Sequence, residues 1–114
     1  MMVKSFGIVK RKPSLTPGEY ERYWKENHGP LAAKVIPGLR KYVQNHGITM
    51  PGLETEIDGM SEIWWDNVEA LQNYLAWRQT ADAKVLIEDE KKFIDVSRTQ
   101  RLFAVEHVVV EKLL

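Results

Sequence analysis

Hydrophobic and polar positions change period several times along this chain, and each change marks a boundary between elements. Val3 to Lys10 is a short run rich in Val, Ile and Phe, closed by Lys12-Pro13-Ser14, which predicts a first strand. Thr16-Pro17-Gly18-Glu19 then joins a capping threonine, a proline at the first helical position and a glutamate three residues past the cap, so a helix is expected from Pro17 to about His28. On that helix positions 20, 23, 24, 27, 28 and 31 share one side, which gathers Tyr20, Tyr23 and Trp24 into an aromatic stripe with His28 in its last turn. His28-Gly29-Pro30 has two readings. A ring that changes charge near neutral pH stands beside an apolar face, and the same tripeptide is an ordinary helix stop, with His in the last turn, Gly past the end and Pro beyond. Leu31 to Ile36 is expected to add a short turn before Pro37.

The period becomes two over Gly38 to His46. Leu39 and Val43 fall on one face, expected to be the core face, and Arg40, Tyr42, Gln44 and His46 on the other. Ile48 to Asp58 carries Pro51 and Gly52 without a period, and is expected to be a long loop of the kind that borders sites. Met60 to Trp65 alternates Met60, Glu62 and Trp64 against Ser61, Ile63 and Trp65. Asp66 with Glu69 caps a helix over about Asn67 to Trp77. Ala81 to Phe93 reads as helix capped by Thr80, and Leu102 to Val110 as a β-branched final strand. Strand, helix, strand, strand, helices, strand is the split βαβ order of the ferredoxin-like class: an α+β domain, 1–114, with a four-stranded antiparallel sheet and helices on one face. Tyr42, Met60 and Trp64 on the uncovered face would leave a large apolar surface in water, and a second copy of the same sheet covers it, so a homodimer with a space between two sheets is expected.

Composition narrows the function classes. Sixteen basic and sixteen acidic residues cancel, so no long-range field favours nucleic acid or an anionic membrane, and no nucleic-acid partner is expected. No stretch is long and apolar enough to span a bilayer and Met1 to Lys4 begins no apolar run, so neither membrane insertion nor secretion is expected and the cytoplasm is the default expectation. With no cysteine there is no disulfide, thiolate metal site or cysteine nucleophile. The three histidines lack metal-ligand spacing and no Gly-rich phosphate loop occurs, so neither metal nor organic cofactor is expected.

The run Tyr23-Trp24, Asn27-His28-Gly29-Pro30-Leu31-Ala32 and Pro37-Gly38-Leu39-Arg40-Lys41-Tyr42-Val43-Gln44-Asn45-His46, with Glu62-Ile63-Trp64-Trp65 and its capped helix, resembles the EthD family of the dimeric α+β barrel superfamily. The resemblance implies a homodimer paired as an α+β barrel. Relatives such as the 4-methylmuconolactone methylisomerase-like proteins isomerise without a cofactor; others dehydrate or cyclise polyketides, oxygenate quinols or degrade haem. His28 and Tyr42 fall where the methylisomerase-like proteins have a pocket histidine and tyrosine. A further pocket histidine of theirs has no counterpart in the 48–58 loop, where His46 at the strand end is the candidate substitute.

If the uncovered sheet face lines the pocket, it presents Tyr42, Gln44, His46, Glu62 and Trp64, with His28 approaching from its helix end. His28 as general base, Tyr42 as donor to an enolate oxygen and Glu62 as an acid or second base form the catalytic set. Tyr23, Trp24, Gln44, His46 and Trp64 form the substrate-binding set. Each has a plainer role: Glu62 salt-bridged to Arg40, Trp64 in a core or interface, His107 at the interface or surface, and Glu88 to Lys92 as the solvated face of a helix. The expected function is cofactor-independent proton transfer, as isomerase, cyclase or dehydratase, on a planar oxygenated small molecule. The alternatives are a cofactor-less monooxygenase or haem-binding barrel, and a non-enzymatic metabolite-binding or interaction protein.

Overall fold

A computed structural model of the chain describes residues 1–113. Thr16 opens the first helix as its sequence predicts: its hydroxyl accepts from the Glu19 amide at 3.1 Å while its own amide donates to the Glu19 carboxylate at 2.8 Å. This helix, α1 (Pro17–Tyr23), does not stop at His28. It widens into a π turn (Trp24–His28) and continues as α2 (Gly29–Val35). Gly29 keeps helical dihedrals, φ −56° and ψ −53°, and its amide donates to the Trp24 carbonyl five residues back. The wider turn accommodates Pro30, whose ring and missing N–H would break a regular α-helix. The expected stop is therefore corrected to a continuous helical arm.

Strands β1 (Val3–Val9), β2 (Lys41–His46), β3 (Gly59–Trp65) and β4 (Gln100–Ala104) form one antiparallel sheet in the order β2-β3-β1-β4. That is the ferredoxin-like sheet, with the helices on one face. The residues between β2 and β3 form the expected long loop. Helix α3 (Val68–Trp77) begins where expected, but its cap is Asn67, whose side chain accepts from the Ala70 amide at 2.9 Å, rather than Asp66. The helix expected over Ala81 to Phe93 divides into a 3₁₀ turn (Ala81–Ala83) and α4 (Lys84–Glu90), and Thr80 makes no side-chain cap. Strand β4 ends at Ala104, short of the expected Val110, because its partner β1 begins at Val3 and the last paired residues are Lys4 and Ala104.

Cross-strand register decides which residues meet the helices. Val3 opposes Trp65, Ser5 opposes Ile63 and Gly7 opposes Ser61, while Tyr42 opposes Ile63 and Gln44 opposes Ser61. Trp65 and Ile63 pack with Leu71, Tyr74 and Leu86 of the helices, so this whole set faces inward. Tyr42, Gln44 and His46 therefore lie on the helix side, and Val43 on the other. The expected face assignment of β2 is inverted, whereas that of β3, with Met60, Glu62 and Trp64 away from Trp65, holds. A second apolar cluster joins Val9, Tyr20, Trp24, Phe93 and Ile94 at the other end of the layer.

Gly59 sits at the seam of that second cluster. A Cβ placed there would come within 2.6 Å of the Trp24 ring, 2.7 Å of the Tyr20 hydroxyl and 3.0 Å of the Asn45 carbonyl. Gly59→Ala should therefore overpack the seam and lower stability by about 1–3 kcal/mol, read as a reduced urea midpoint at unchanged slope.

Candidate active site

The helix side of the sheet borders a partly open cavity of about 440 Å³, bounded by both apolar clusters. Its sheet wall includes Ser5, Tyr42, Ser61 and Ile63; its helix wall includes Trp24, His28, Tyr74 and Phe93. The aromatic rings of Trp24, Tyr42, Tyr74 and Phe93 are among its lining, which suits a flat ligand. This is not the expected space between two sheets. It lies within one copy of the chain.

His28 comes from the end of the π turn and is 7% exposed. Its Nδ1 lies 2.9 Å from Asp89 Oδ2, and the other carboxylate oxygen, Oδ1, accepts from the Tyr23 hydroxyl at 2.5 Å. Asp89 is equally buried. Burial works against its charge, but the hydrogen bonds from Tyr23 and His28 outweigh it and hold the carboxyl below the ordinary carboxylate range. Burial and the bond to Asp89 push the Tyr23 hydroxyl up to about 12. An ionised carboxylate accepts from Nδ1–H, so this contact selects the tautomer whose free lone pair is on Nε2. The ring also packs on Phe93, with centroids 4.7 Å apart.

Tyr42 brings a hydroxyl to the opposite wall. Its oxygen accepts from Trp24 Nε1 at 3.2 Å and from Gln44 Nε2 at 3.1 Å. Burial raises its pKa and outweighs the opposing effect of these two donors, so the phenol keeps its proton at neutral pH. Arg78 and Glu90 form a bidentate pair at 2.9 Å in both arms, with the Tyr74 hydroxyl accepting from Arg78 at 3.1 Å, which gives the cavity a fixed polar wall.

The cavity thus unites three of the residues singled out in the sequence: His28, Tyr42 and Trp24. Three more stand just behind them. Tyr23 holds Asp89, Gln44 holds Tyr42, and His46 donates from Nε2 to Gln44 Oε1 at 2.8 Å while packing tilted against Trp24, with ring centroids 4.4 Å apart. Glu62 and Trp64 lie on the far face of the sheet and do not join this set. Glu62 is paired with Lys4 at 2.7 Å and accepts from Asn45 at 2.9 Å, both of which keep its carboxyl low; Arg40, the partner anticipated for it, instead meets Asp66 at 3.3 Å. Lys4 lies 4.3 Å from the Trp64 ring centroid and Lys41 4.5 Å. Among the described residues no three His, Asp or Glu side chains are grouped to hold a metal ion.

Asp89 is the important residue that the sequence reading passed over, inside the charged run Glu88 to Lys92. Its spacing carried the signal. Leu86, Asp89, Glu90 and Phe93 follow the i, i+3, i+4, i+7 pattern of one buried face, and two of the four are apolar.

A ferredoxin-like sheet with a helix-side cavity holding a carboxylate-fixed histidine and a tyrosine hydroxyl defines a small α+β protein with a pocket inside each chain. The chain belongs to the EthD family: the EthD domain model matches residues 12–97. It is similar to the crystal structure of an ethyl tert-butyl ether d (EthD) family protein from Bacillus halodurans, at 26% identity, covering 94% of this chain and 100% of that one with a TM-score of 0.72. It shares its fold with a dimeric ferredoxin-like protein from Bacteroides fragilis (16% identity, 90% and 93% covered, TM-score 0.62). The same holds for SnoaB, a cofactor-independent oxygenase from Streptomyces nogalater (12% identity, 97% and 98% covered, TM-score 0.56). No curated protein matches the chain. Among the described residues no helix is long and apolar enough to cross a membrane.

The Asp89 contacts make a stability prediction with a defined pH window. Asp89→Asn should cost about 1–3 kcal/mol at pH 7, because the amide oxygen can accept from only one of the two donors and its NH₂ faces the other. A carboxyl held low in the folded state contributes fully above its ordinary value near pH 4 and loses that contribution as pH falls through the lowered value. The gap between wild type and Asp89→Asn should therefore narrow below about pH 4 in urea unfolding curves.

Proposed function

We propose that this protein is a cofactor-independent enzyme that moves protons on a planar oxygenated ring compound, such as a lactone, polyketide or aromatic catabolite. The observation that carries the reading is the presence, in one aromatic cavity, of a ring nitrogen left free by Asp89 and a tyrosine hydroxyl that keeps its proton. His28 Nε2 takes a proton from carbon beside a carbonyl, the electron pair moves onto the carbonyl oxygen, and Tyr42 donates a hydrogen bond to that oxygen. Asp89 stabilises the imidazolium that forms. Return of the proton to a different carbon isomerises the substrate, and its delivery to a departing hydroxyl dehydrates it. Trp24 and Phe93 hold the ring flat against the cavity wall.

The test is exchange in deuterium oxide. Purified protein with no added cofactor, incubated with a panel of unsaturated lactones and cyclic diketones, should speed deuterium uptake beside the carbonyl as followed by NMR. His28→Ala should lower that rate about 100-fold or more, and Tyr42→Phe about 10- to 1,000-fold. Uptake that is unchanged in both variants would sink the reading. Oxygen consumption in the same samples separates the oxygenase alternative, for which SnoaB supplies a precedent in this fold.

We further infer a homodimer formed through the uncovered sheet face. Phe6, Ile8, Val43, Met60, Trp64 and Leu102 lie there by register, and Leu102 is 53% exposed. The paired Lys4 and Glu62 at its centre are compatible with burial, and the Bacteroides fragilis relative of the same fold is dimeric. Sedimentation velocity should give a dimer for the wild type and a folded monomer for Trp64→Glu.

A further inference from the structure

The hydrogen bonds behind Tyr42 run in one direction, and each step is fixed by a group that can act in only one way. The Trp24 carbonyl can only accept, and Gln44 Nε2 lies 3.0 Å from it, so this end of the Gln44 amide is the NH₂. Gln44 Oε1 then points at His46 Nε2, 2.8 Å away, which must carry a hydrogen. The second Gln44 N–H reaches the Tyr42 oxygen at 3.1 Å, and the indole N–H of Trp24, an obligate donor, reaches it at 3.2 Å. Two donors occupy the acceptor positions of that oxygen. What remains is its own O–H, for which no described residue supplies an acceptor, and Tyr42 lines the cavity.

We propose that His46 and Gln44 are positioning residues that commit the Tyr42 hydroxyl to donate into the cavity, so that the group bound there is an acceptor oxygen, a carbonyl or a phenolate. This rests on the reading of the cavity as a substrate site. His46 touches none of the reacting atoms; it acts by holding the Gln44 amide one way round. Gly29 belongs to the same device. A Cβ at Gly29 would come within 2.7 Å of Gln44 Nε2 and 3.2 Å of the Trp24 carbonyl, so a side chain there would unseat the amide. The π turn supports it too, because Gly29 N–H and Gln44 Nε2 meet on the same Trp24 carbonyl. A substrate offering an N–H or ammonium to Tyr42 meets a donor with a donor and is excluded.

The experiment uses 4-nitrophenol as the probe, since its absorbance reports whether the bound phenol is ionised. Wild type should bind it and shift its ionisation toward lower pH, because a committed donor favours the phenolate. Tyr42→Phe should weaken phenolate binding about 10- to 100-fold, the range of one hydrogen bond to a charged group. Gln44→Glu should do the same with Tyr42 still present, because a carboxylate only accepts and turns the tyrosine hydrogen toward itself. His46→Leu should lose much of the ionisation shift, and His46→Gln, which places an amide N–H where the ring had Nε2, should restore it. Thermal melts of each variant separate loss of fold from loss of binding. Phenolate binding that drops in Tyr42→Phe but is unchanged, ionisation included, in Gln44→Glu and His46→Leu would overturn the positioning role alone. Binding that ignores Tyr42→Phe, or no saturable binding by wild type, would overturn it together with the cavity reading.

Discussion

A carboxylate withdrawn from bulk water must be met by donors, and Asp89, 7% exposed, imposes that constraint on the helical layer. Its two oxygens take Tyr23 and His28, which lie on opposite sides of the change from α-helix to π turn. Breaking either contact would leave one oxygen of that buried carboxylate without its donor, a loss larger than the net worth of an ordinary surface pair. The bond therefore locks α4 to the first helical arm and fixes the His28 ring in the same act. One contact serves packing and chemistry, and the rest of the cavity wall is laid out around it.

The sheet separates two kinds of chemistry by its period of two. On the helix side Tyr42, Gln44 and Ser61 present hydroxyl and amide groups to the cavity and its supports. On the far side Lys4, Glu62 and Trp64 form a charged and aromatic cluster, in which burial disfavours the lysine ammonium but Glu62 and Glu106 outweigh it and raise its pKa. The two sets alternate along the same strands. A slip of one residue would exchange them, which is why the Tyr42–Ile63 register matters to chemistry as much as to stability.

Local rules made most of the fold legible. The Thr16 capping box, the 2-residue alternation of β3, the loop after His46 and the span of α3 follow from residue type and spacing. Two of the departures share one reason. On β2 the inward residues are Tyr42, Gln44 and His46, while the apolar Val43 faces outward, so the usual sorting of apolar inside and polar outside runs backwards. On α4 a carboxylate takes an inward position beside Leu86 and Phe93. Both departures stand next to the cavity, where polar groups replace packing, and that is where pattern reasoning is expected to fail. The short β4 has a separate cause, since strand propensity in residues 105–110 finds no partner beyond the start of β1.

Uncompensated polar atoms show where this arrangement carries its cost. Among the described residues the buried side-chain atoms without a hydrogen-bond partner are Arg11 Nε, the Tyr20 hydroxyl and His46 Nδ1, and all three residues line a second, smaller hollow of about 200 Å³ under the 47–58 loop. His46 explains why the cost falls there. Its Nε2 is committed to Gln44, so Nδ1 is left to whatever the hollow offers, and the nearest carboxylate, of Glu21, is 3.8 Å away. Burial, with Lys25 adding to it, lowers the pKa of this ring against the weaker pull of Glu21, which favours its neutral form. Neutrality suits the role, because Gln44 asks only for a donor at Nε2. Order in the cavity is thus maintained by imperfect satisfaction one layer behind it, the distribution expected of a site selected for geometry rather than for stability alone.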